Sequence, residues 1–172
     1  MENKKSLTLI DLFAGCGGIS KGFMDAGYRV ISAVEYDKSI AETLINNHTE
    51  TKVFINDIAD VSARDLILDD YGVDVVAGGP PCQGFSMAGK RIRNSGAFLN
   101  DPRNNLFKEF FRVVSELKPK IFIMENVPGI LNFQNGEVKN NILDLFDRIG
   151  YETSYKIWLA SDYGVPQLRK RA

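Results

Sequence analysis

Two hydrophobic rhythms alternate along this chain, short β-like runs and longer helical stripes, joined by brief connections. Leu7–Phe13 reads as a strand, Ile19–Ala26 as a helix closed by Gly27, and Tyr28–Val34 as a second strand. Lys38–Asn47 predicts a helix with Asp37 as its N-cap, and Val53–Ile55 a short strand. Ser62–Leu68 reads as a helix capped by Ser62, and Val73–Ala77 as the next strand. Asn105–Leu117 is an amphipathic stripe that stops before Pro119, and Ile121–Met124 is a fully apolar strand. Glu137–Ile149 predicts a helix ended by Gly150, and Tyr155–Leu159 a sixth strand. This alternation implies an α/β fold, a doubly wound and mostly parallel sheet with helices on both faces. No repeat or linker interrupts it, so 1–172 reads as one domain.

Ligands of open α/β sheets lie at the carboxyl ends of the strands. The residues able to do chemistry fall there: Asp11 and a glycine loop after strand one, Glu35 after two, Asp57 after three, Cys82 after four and Glu125 after five. That convergence is stronger than any single motif.

Asp11-Leu12-Phe13-Ala14-Gly15-Cys16-Gly17-Gly18 joins the first strand to the first helix. Glycines let the backbone approach a ligand closely, and a helix N-terminus offers unpaired N–H groups. Glu35, about twenty residues after Gly15, ends strand two, where a carboxylate can hold both hydroxyls of a ribose. Together these features point to a nucleoside-containing cofactor without separating a dinucleotide from S-adenosylmethionine. The negative charge of Asp11 suits a sulfonium and an amino group better than a pyrophosphate. Asp57 can accept from the exocyclic amine of adenine while Ile58 packs on the ring, or Asp57 can simply cap a turn.

Gly78-Gly79-Pro80-Pro81-Cys82-Gln83-Gly84-Phe85-Ser86 mounts one cysteine on a stiff turn after an apolar strand. The glycines permit the sharp turn and the paired prolines fix φ. A core cysteine needs no such mounting, whereas an attacking thiol needs reach and orientation. Ile121–Met124 delivers Glu125-Asn126-Val127-Pro128-Gly129 to the same edge, a glutamate leaving a buried strand. Gln167-Leu168-Arg169-Lys170-Arg171 supplies cations that can pin a carboxylate or a phosphate, or form a solvated basic tail. In Gln83–Arg103, Lys90, Arg91, Arg93 and Arg103 against Asp101 leave a local charge of +3. Such a basic loop can close over a polyanion, or be an ordinary solvated loop.

Composition narrows the picture further. The 172 residues are 44% hydrophobic and carry a formal charge of −1, so no global basicity announces nucleic acid. Two cysteines, Cys16 and Cys82, are too few for a disulfide scaffold and suit a reducing cytoplasm. The one histidine, His48, reads as a surface residue, and a single His builds neither a metal cluster nor a Ser-His-Asp triad. No secretory signal or membrane-length apolar run is seen, and the expected location is cytoplasmic.

On these residues the chain resembles the cytosine-C5 methyltransferases that use S-adenosylmethionine. Asp11–Gly18 looks like the family's first motif and Pro80–Ser86 like its catalytic loop. Glu125-Asn126-Val127 looks like its Glu-Asn-Val motif, and Gln167-x-Arg169-x-Arg171 like its Gln-x-Arg-x-Arg motif. All four stand in the family's order. The resemblance implies a Rossmann-like, S-adenosylmethionine-binding catalytic domain. Its pocket would be lined by Asp11, Phe13, Ala14, Gly15, Cys16, Gly17, Gly18, Glu35, Tyr36, Asp57, Ile58, Pro81 and Leu106. It implies Cys82 as the nucleophile at C6 of cytosine and Glu125 at the N3 and N4 edge. Arg169 and Arg171 would position the glutamate and the flipped nucleotide, with Arg171 the one at the base. Duplex DNA would be met by Gln83, Ser86, Lys90, Arg91, Arg93 and Asn126, in the manner of bacterial restriction-modification enzymes with a cognate endonuclease.

Members of that family continue beyond Gln-x-Arg-x-Arg into a closing strand, a target-recognition domain and a returning segment, whereas Ala172 follows Arg171 here. The expectation is therefore a truncated chain, incomplete at its carboxyl end. The alternative is one subunit of a split enzyme whose partner brings the rest. Either would leave a sheet edge unpaired, and alone the chain would bind cofactor weakly and methylate nothing. Three rivals stay open: the tRNA-methylating branch of the family, a non-catalytic cofactor-binding subunit, and a dinucleotide-dependent oxidoreductase. Ser86 after Phe85 and the basic loop favour the DNA branch. Intact Cys82 and Glu125 speak against the subunit, and hydride chemistry gives Cys82 no task.

Overall fold

The computed structural model describes residues 6–68, 72–81 and 106–172. The chain divides into two compact units, Met1–Pro80 with Arg112–Met124, and Pro81–Phe111 with Glu125–Ala172.

The first unit is a five-stranded parallel sheet in the order β3-β2-β1-β4-β5. Its strands are β1 (Thr8–Leu12), β2 (Arg29–Glu35), β3 (Lys52–Ile55), β4 (Val75–Gly78) and β5 (Ile121–Met124). β1 is buried at all five positions, the polar Thr8 and Asp11 included, and β4 at all four, as expected of central strands covered on both faces. Helices α1 (Gly18–Asp25) and α2 (Lys38–Asn47) connect the first three strands. Asp37 caps α2, its side chain accepting from Ser39 N at 2.8 Å and Ile40 N at 3.1 Å. That satisfies two N–H groups the helix cannot satisfy itself. Ile19, Phe23, Met24 and Tyr28 pack on Leu9, Val30, Val75 and Ala77, fastening α1 to one face of the sheet.

At the amino ends of the strands one carboxylate ties three of them together. Asp74 accepts from Thr8 N at 2.8 Å, from Thr8 Oγ1 at 3.1 Å and from Lys120 Nζ at 2.6 Å. The Lys120 ammonium and the Thr8 donors hold its carboxyl below the usual carboxylate range. Its contribution to stability is therefore present at neutral pH and is lost as pH falls through that lowered range.

Where β4 meets β1 the sheet admits no side chain. A Cβ on Gly78 would lie 2.3 Å from the carbonyl oxygen of Leu12. The Gly78→Ala variant is expected to melt about 3–10 °C lower, since backbone cannot yield as a side-chain tip can. A melt followed by circular dichroism checks this.

The second unit holds α4 (Glu137–Arg148) and a two-stranded antiparallel ribbon of β6 (Trp158–Leu159) and β7 (Lys170–Arg171). α4 buries Val138, Ile142 and Phe146, one face at four-residue spacing. Helix α3 (Leu106–Leu117) begins in this unit and ends in the first. The rings of Phe110 and Phe111 stand edge-on to Phe146, with centroids 6.3 Å and 5.3 Å away.

Four expectations are corrected. Ser62–Leu68 is not an α-helix: one short 3-10 turn, Ala63–Leu66, occupies this stretch after another at Ile58–Asp60, and the Ser62 side chain makes no cap bond. Tyr155–Leu159 does not extend the parallel sheet. Only Trp158–Leu159 is strand, and its partner is Lys170–Arg171. β5 is an edge strand rather than a buried one, with Ile121 55% and Ile123 44% exposed. His48 is buried, because the C-cap of α2 turns its ring under the glycine loop instead of toward water. No helix among the described residues is long and apolar enough to cross a membrane.

Candidate functional site

The glycine loop is built from both of its ends. Phe13 at φ 58°, Gly15 at φ 57° and Gly17 at φ 89° wind the backbone through left-handed conformations between β1 and α1. Ala14 N donates to Val34 O at 3.0 Å and Gly17 N to Ala14 O at 2.9 Å, anchoring the turn to β2. A Cβ on Gly17 would come within 2.3 Å of His48 Nε2 and 2.7 Å of Leu44 Cδ1. At Gly15 and Gly18 a Cβ would meet nothing within 4 Å among the described residues, and Cys16 and Gly18 are exposed. The loop thus has a packed side against α2 and an open side.

Two carboxylates shape it. Glu35, at the end of β2, accepts from Gly15 N through Oε2 at 2.8 Å and from Asp37 N through Oε1 at 2.9 Å. It binds the loop to the strand and keeps further lone pairs on each oxygen. Asp11 is wholly buried rather than open at the loop surface. Its Oδ2 accepts from Ser20 N at 3.0 Å and Ser20 Oγ at 2.6 Å, holding the first turn of α1 from behind. Its Oδ1 has no hydrogen-bond partner among the described residues. Burial pushes its pKa up to about 6, against the Ser20 hydrogen bonds and aided by the charge on Glu35.

A carboxyl whose folded pKa lies above its ordinary value stabilises the fold when protonated. That contribution is complete below about pH 4 and lost as pH rises through about 6. Asp11→Asn cannot titrate. Relative to wild type its stability should therefore improve steadily from pH 4 to 6 and level off above, as read from urea unfolding at a series of pH values.

Asp57 and Ile58 follow β3. Asp57 Oδ1 accepts from Ala59 N at 3.0 Å, capping the Ile58–Asp60 turn, and Ile58 is buried, so its packing surface is already taken up by the protein. Tyr36, after Glu35, is 76% exposed. Pro81 and Leu106 belong to the second unit and the other expected cofactor residues to the first.

Glu125 is the next residue after β5, and Arg171 Nε pairs with its Oε1 at 2.5 Å. The Arg171 guanidinium thus holds the glutamate, one of the two tasks expected of the arginine pair. Arg169 is exposed and its carbonyl accepts from Ala160 N at 2.9 Å. Asn126 does not stand open to a ligand. It is buried, its N–H and C=O pair with Ala172 at 2.8 Å and 2.9 Å, and its Oδ1 accepts from Val127 N. Cys82, Gln83, Ser86, Lys90, Arg91 and Arg93 lie outside the described residues.

Sequence reasoning passed over two residues that build this region, Ser20 and Arg112, and misplaced a third, His48, on the surface. Arg112 is flanked by the buried Phe110, Val113 and Val114, a placement that could have marked it.

Together these features define a Rossmann-like α/β protein with a glycine loop and carboxylates at the carboxyl edge of its sheet. The chain belongs to the C-5 cytosine-specific DNA methylase family, which matches residues 7–172. It is 46% identical over 168 residues to the type II methyltransferase M1.HphI of Haemophilus parahaemolyticus, covering 96% of this chain and 44% of that protein. With M.DdeI of Desulfomicrobium norvegicum it shares 44% identity, covering 96% of this chain and 39% of the relative. The chain thus spans less than half the length of these two relatives. Among solved structures, a putative DNA modification methyltransferase encoded within an E. coli prophage superposes with TM-score 0.76 at 36% identity. That match covers 96% of this chain and 45% of the other.

Proposed function

We propose that this chain is the cofactor-binding and catalytic part of a DNA cytosine-C5 methyltransferase of the restriction-modification type. The observation that carries the reading is Glu125, oriented by Arg171 directly after β5, in a chain of this family that also holds the open-sided glycine loop. S-adenosylmethionine, when bound, supplies a methyl group on a sulfonium. The residues present fit it: Glu35 has lone pairs to spare for ribose hydroxyls, the loop backbone is open at Gly15 and Gly18, and Asp57 can accept from the adenine amine.

C5 of cytosine is too electron-poor to take a methyl group unaided. Cys82 thiolate adds to C6, opening C5=C6, while Glu125 hydrogen-bonds the N3 edge and favours a proton there. C5 becomes enamine-like and would take the methyl carbon from a bound sulfonium, the electrons of the carbon–sulfur bond leaving with the sulfur. A base removes the C5 proton, the thiolate leaves C6, and C5=C6 is restored. A thiol near pKa 8.5 is only a few per cent ionised at neutral pH, so a neighbouring guanidinium would raise its reactivity. The target base must leave the duplex, at a cost of roughly a few kcal/mol, and the basic residues Lys90, Arg91 and Arg93 supply the charge to hold the backbone.

The test is covalent trapping on duplex DNA carrying 5-fluorocytosine, with S-adenosylmethionine, using the chain alone and the chain mixed with the carboxyl-terminal part of M1.HphI. Fluorine at C5 cannot leave as a proton does, so a productive enzyme stays attached. An adduct in either arm that survives denaturing electrophoresis supports the reading. No adduct in both sinks it.

A further inference from the structure

The segment bearing Asp57 and Ile58 has little structure of its own, only the three-residue turn Ile58–Asp60 between β3 and the next 3-10 turn. Its local bonds are Asp57 Oδ1 to Ala59 N, Asp60 N to Asp57 O, and Val61 N to Ile58 O at 3.2 Å. A further hold comes from α3. Arg112 donates from one terminal guanidinium nitrogen to Ile58 O at 2.9 Å and to Val61 O at 3.1 Å, and from the other to Glu116 Oε1 at 3.3 Å. All of these residues lie in the first unit.

We propose that Arg112 is a positioning residue for the adenine end of the cofactor site. A single planar fork grips the carbonyls at both ends of the turn and so sets where the Asp57 carboxylate points. Resting on the cofactor reading above, this gives a residue in none of the four sequence motifs control over recognition of the exocyclic amine. The chemistry favours arginine. Two hydrogens on one nitrogen reach two carbonyls 54 and 51 positions away in sequence, while the other nitrogen keeps its ion pair on the helix surface. A lysine ammonium carries charge without that fixed fork. Charge-assisted bonds to carbonyls are strong enough for their loss to matter in ligand affinity.

The experiment titrates the full chain calorimetrically with S-adenosylhomocysteine and with its inosine analogue, which bears a 6-oxo group in place of the amine. Wild type should prefer the adenine ligand by about tenfold or more. Arg112→Met should weaken the adenine ligand by about 10–100-fold. The inosine analogue should weaken much less, so the preference collapses toward one. Arg112→Lys should retain part of the preference, and a thermal melt shows which variants remain folded. An equal loss for both ligands, or no loss for either, overturns the positioning role. A wild type that binds both ligands equally removes the part given to Asp57, and the inference with it. A wild type that binds neither overturns the cofactor reading itself, a distinct failure.

Discussion

Replacing Cys82 by alanine is expected to abolish the adduct with 5-fluorocytosine DNA and to lower methyl transfer by on the order of 10⁴-fold or more. Without a thiolate at C6 the ring keeps its C5=C6 bond and C5 has no electron pair to offer. The rest of the site can bind and orient but cannot create the nucleophilic carbon. Cys82→Ser should fail nearly as badly, since a hydroxyl is far less ionised and less polarisable than a thiol. Cofactor affinity should stay within about threefold in both variants, because the thiol acts on the base in the transition state and not on cofactor in the ground state. Single-turnover transfer of a labelled methyl group, in the trapping mixture that forms the adduct, checks the rate. A Cys82→Ala protein that still forms the adduct would remove this residue from the mechanism.

Glu125→Gln is expected to slow the same single-turnover rate by about 10²–10⁴-fold. The amide preserves shape and volume, but it cannot carry the proton that N3 needs as the thiolate adds, and it loses its charge pairing with Arg171. The two effects separate by magnitude. The side chains of Arg171 and Glu125 are 28% and 37% exposed, and a half-exposed ion pair contributes little to stability. The melting temperature should thus move by no more than about 2 °C while the rate collapses. If Arg171 acts through Glu125, Arg171→Met made on top of Glu125→Gln should add far less than it costs alone, a coupling that a double-mutant cycle measures directly. Independent, additive losses would give Arg171 a task apart from Glu125, such as the contact to the base that the resemblance also implies.

Several features of this protein are local in cause, and those were readable. Asp37 caps α2 because an aspartate immediately before a helical stripe meets the N–H groups of the next turn. Ile121–Met124 forms a strand with the expected ends because Pro119 and Pro128 flank an apolar run. The glycine loop, Glu35 and Asp57 were legible as a set because the strand–turn–helix rhythm carries each to the end of a strand. Misreadings arose wherever burial depends on residues far away in sequence. Tyr155–Leu159 has strand chemistry throughout, yet only Trp158–Leu159 finds a partner, because Lys170–Arg171 is the segment that reaches it. Ser62 looks like a cap, but Val61, Ala63 and Leu66 are buried at a spacing that 3-10 turns serve as well as an α-helix.

By itself, the sequence determined the α/β alternation, the four motifs and the residue types able to do the chemistry. These rest on neighbours within a few positions, where backbone preference and hydrophobic period act. Only the tertiary structure decided the strand order β3-β2-β1-β4-β5 and the burial of Asp11 behind Ser20. It also decided the seating of His48 against Gly17, the pairing of Arg171 with Glu125 and the reach of Arg112 to two carbonyls. Each of these joins residues separated by 9 to 66 positions. Which partner a side chain finds across such a span depends on how sheet and helices pack, and no local pattern encodes that choice.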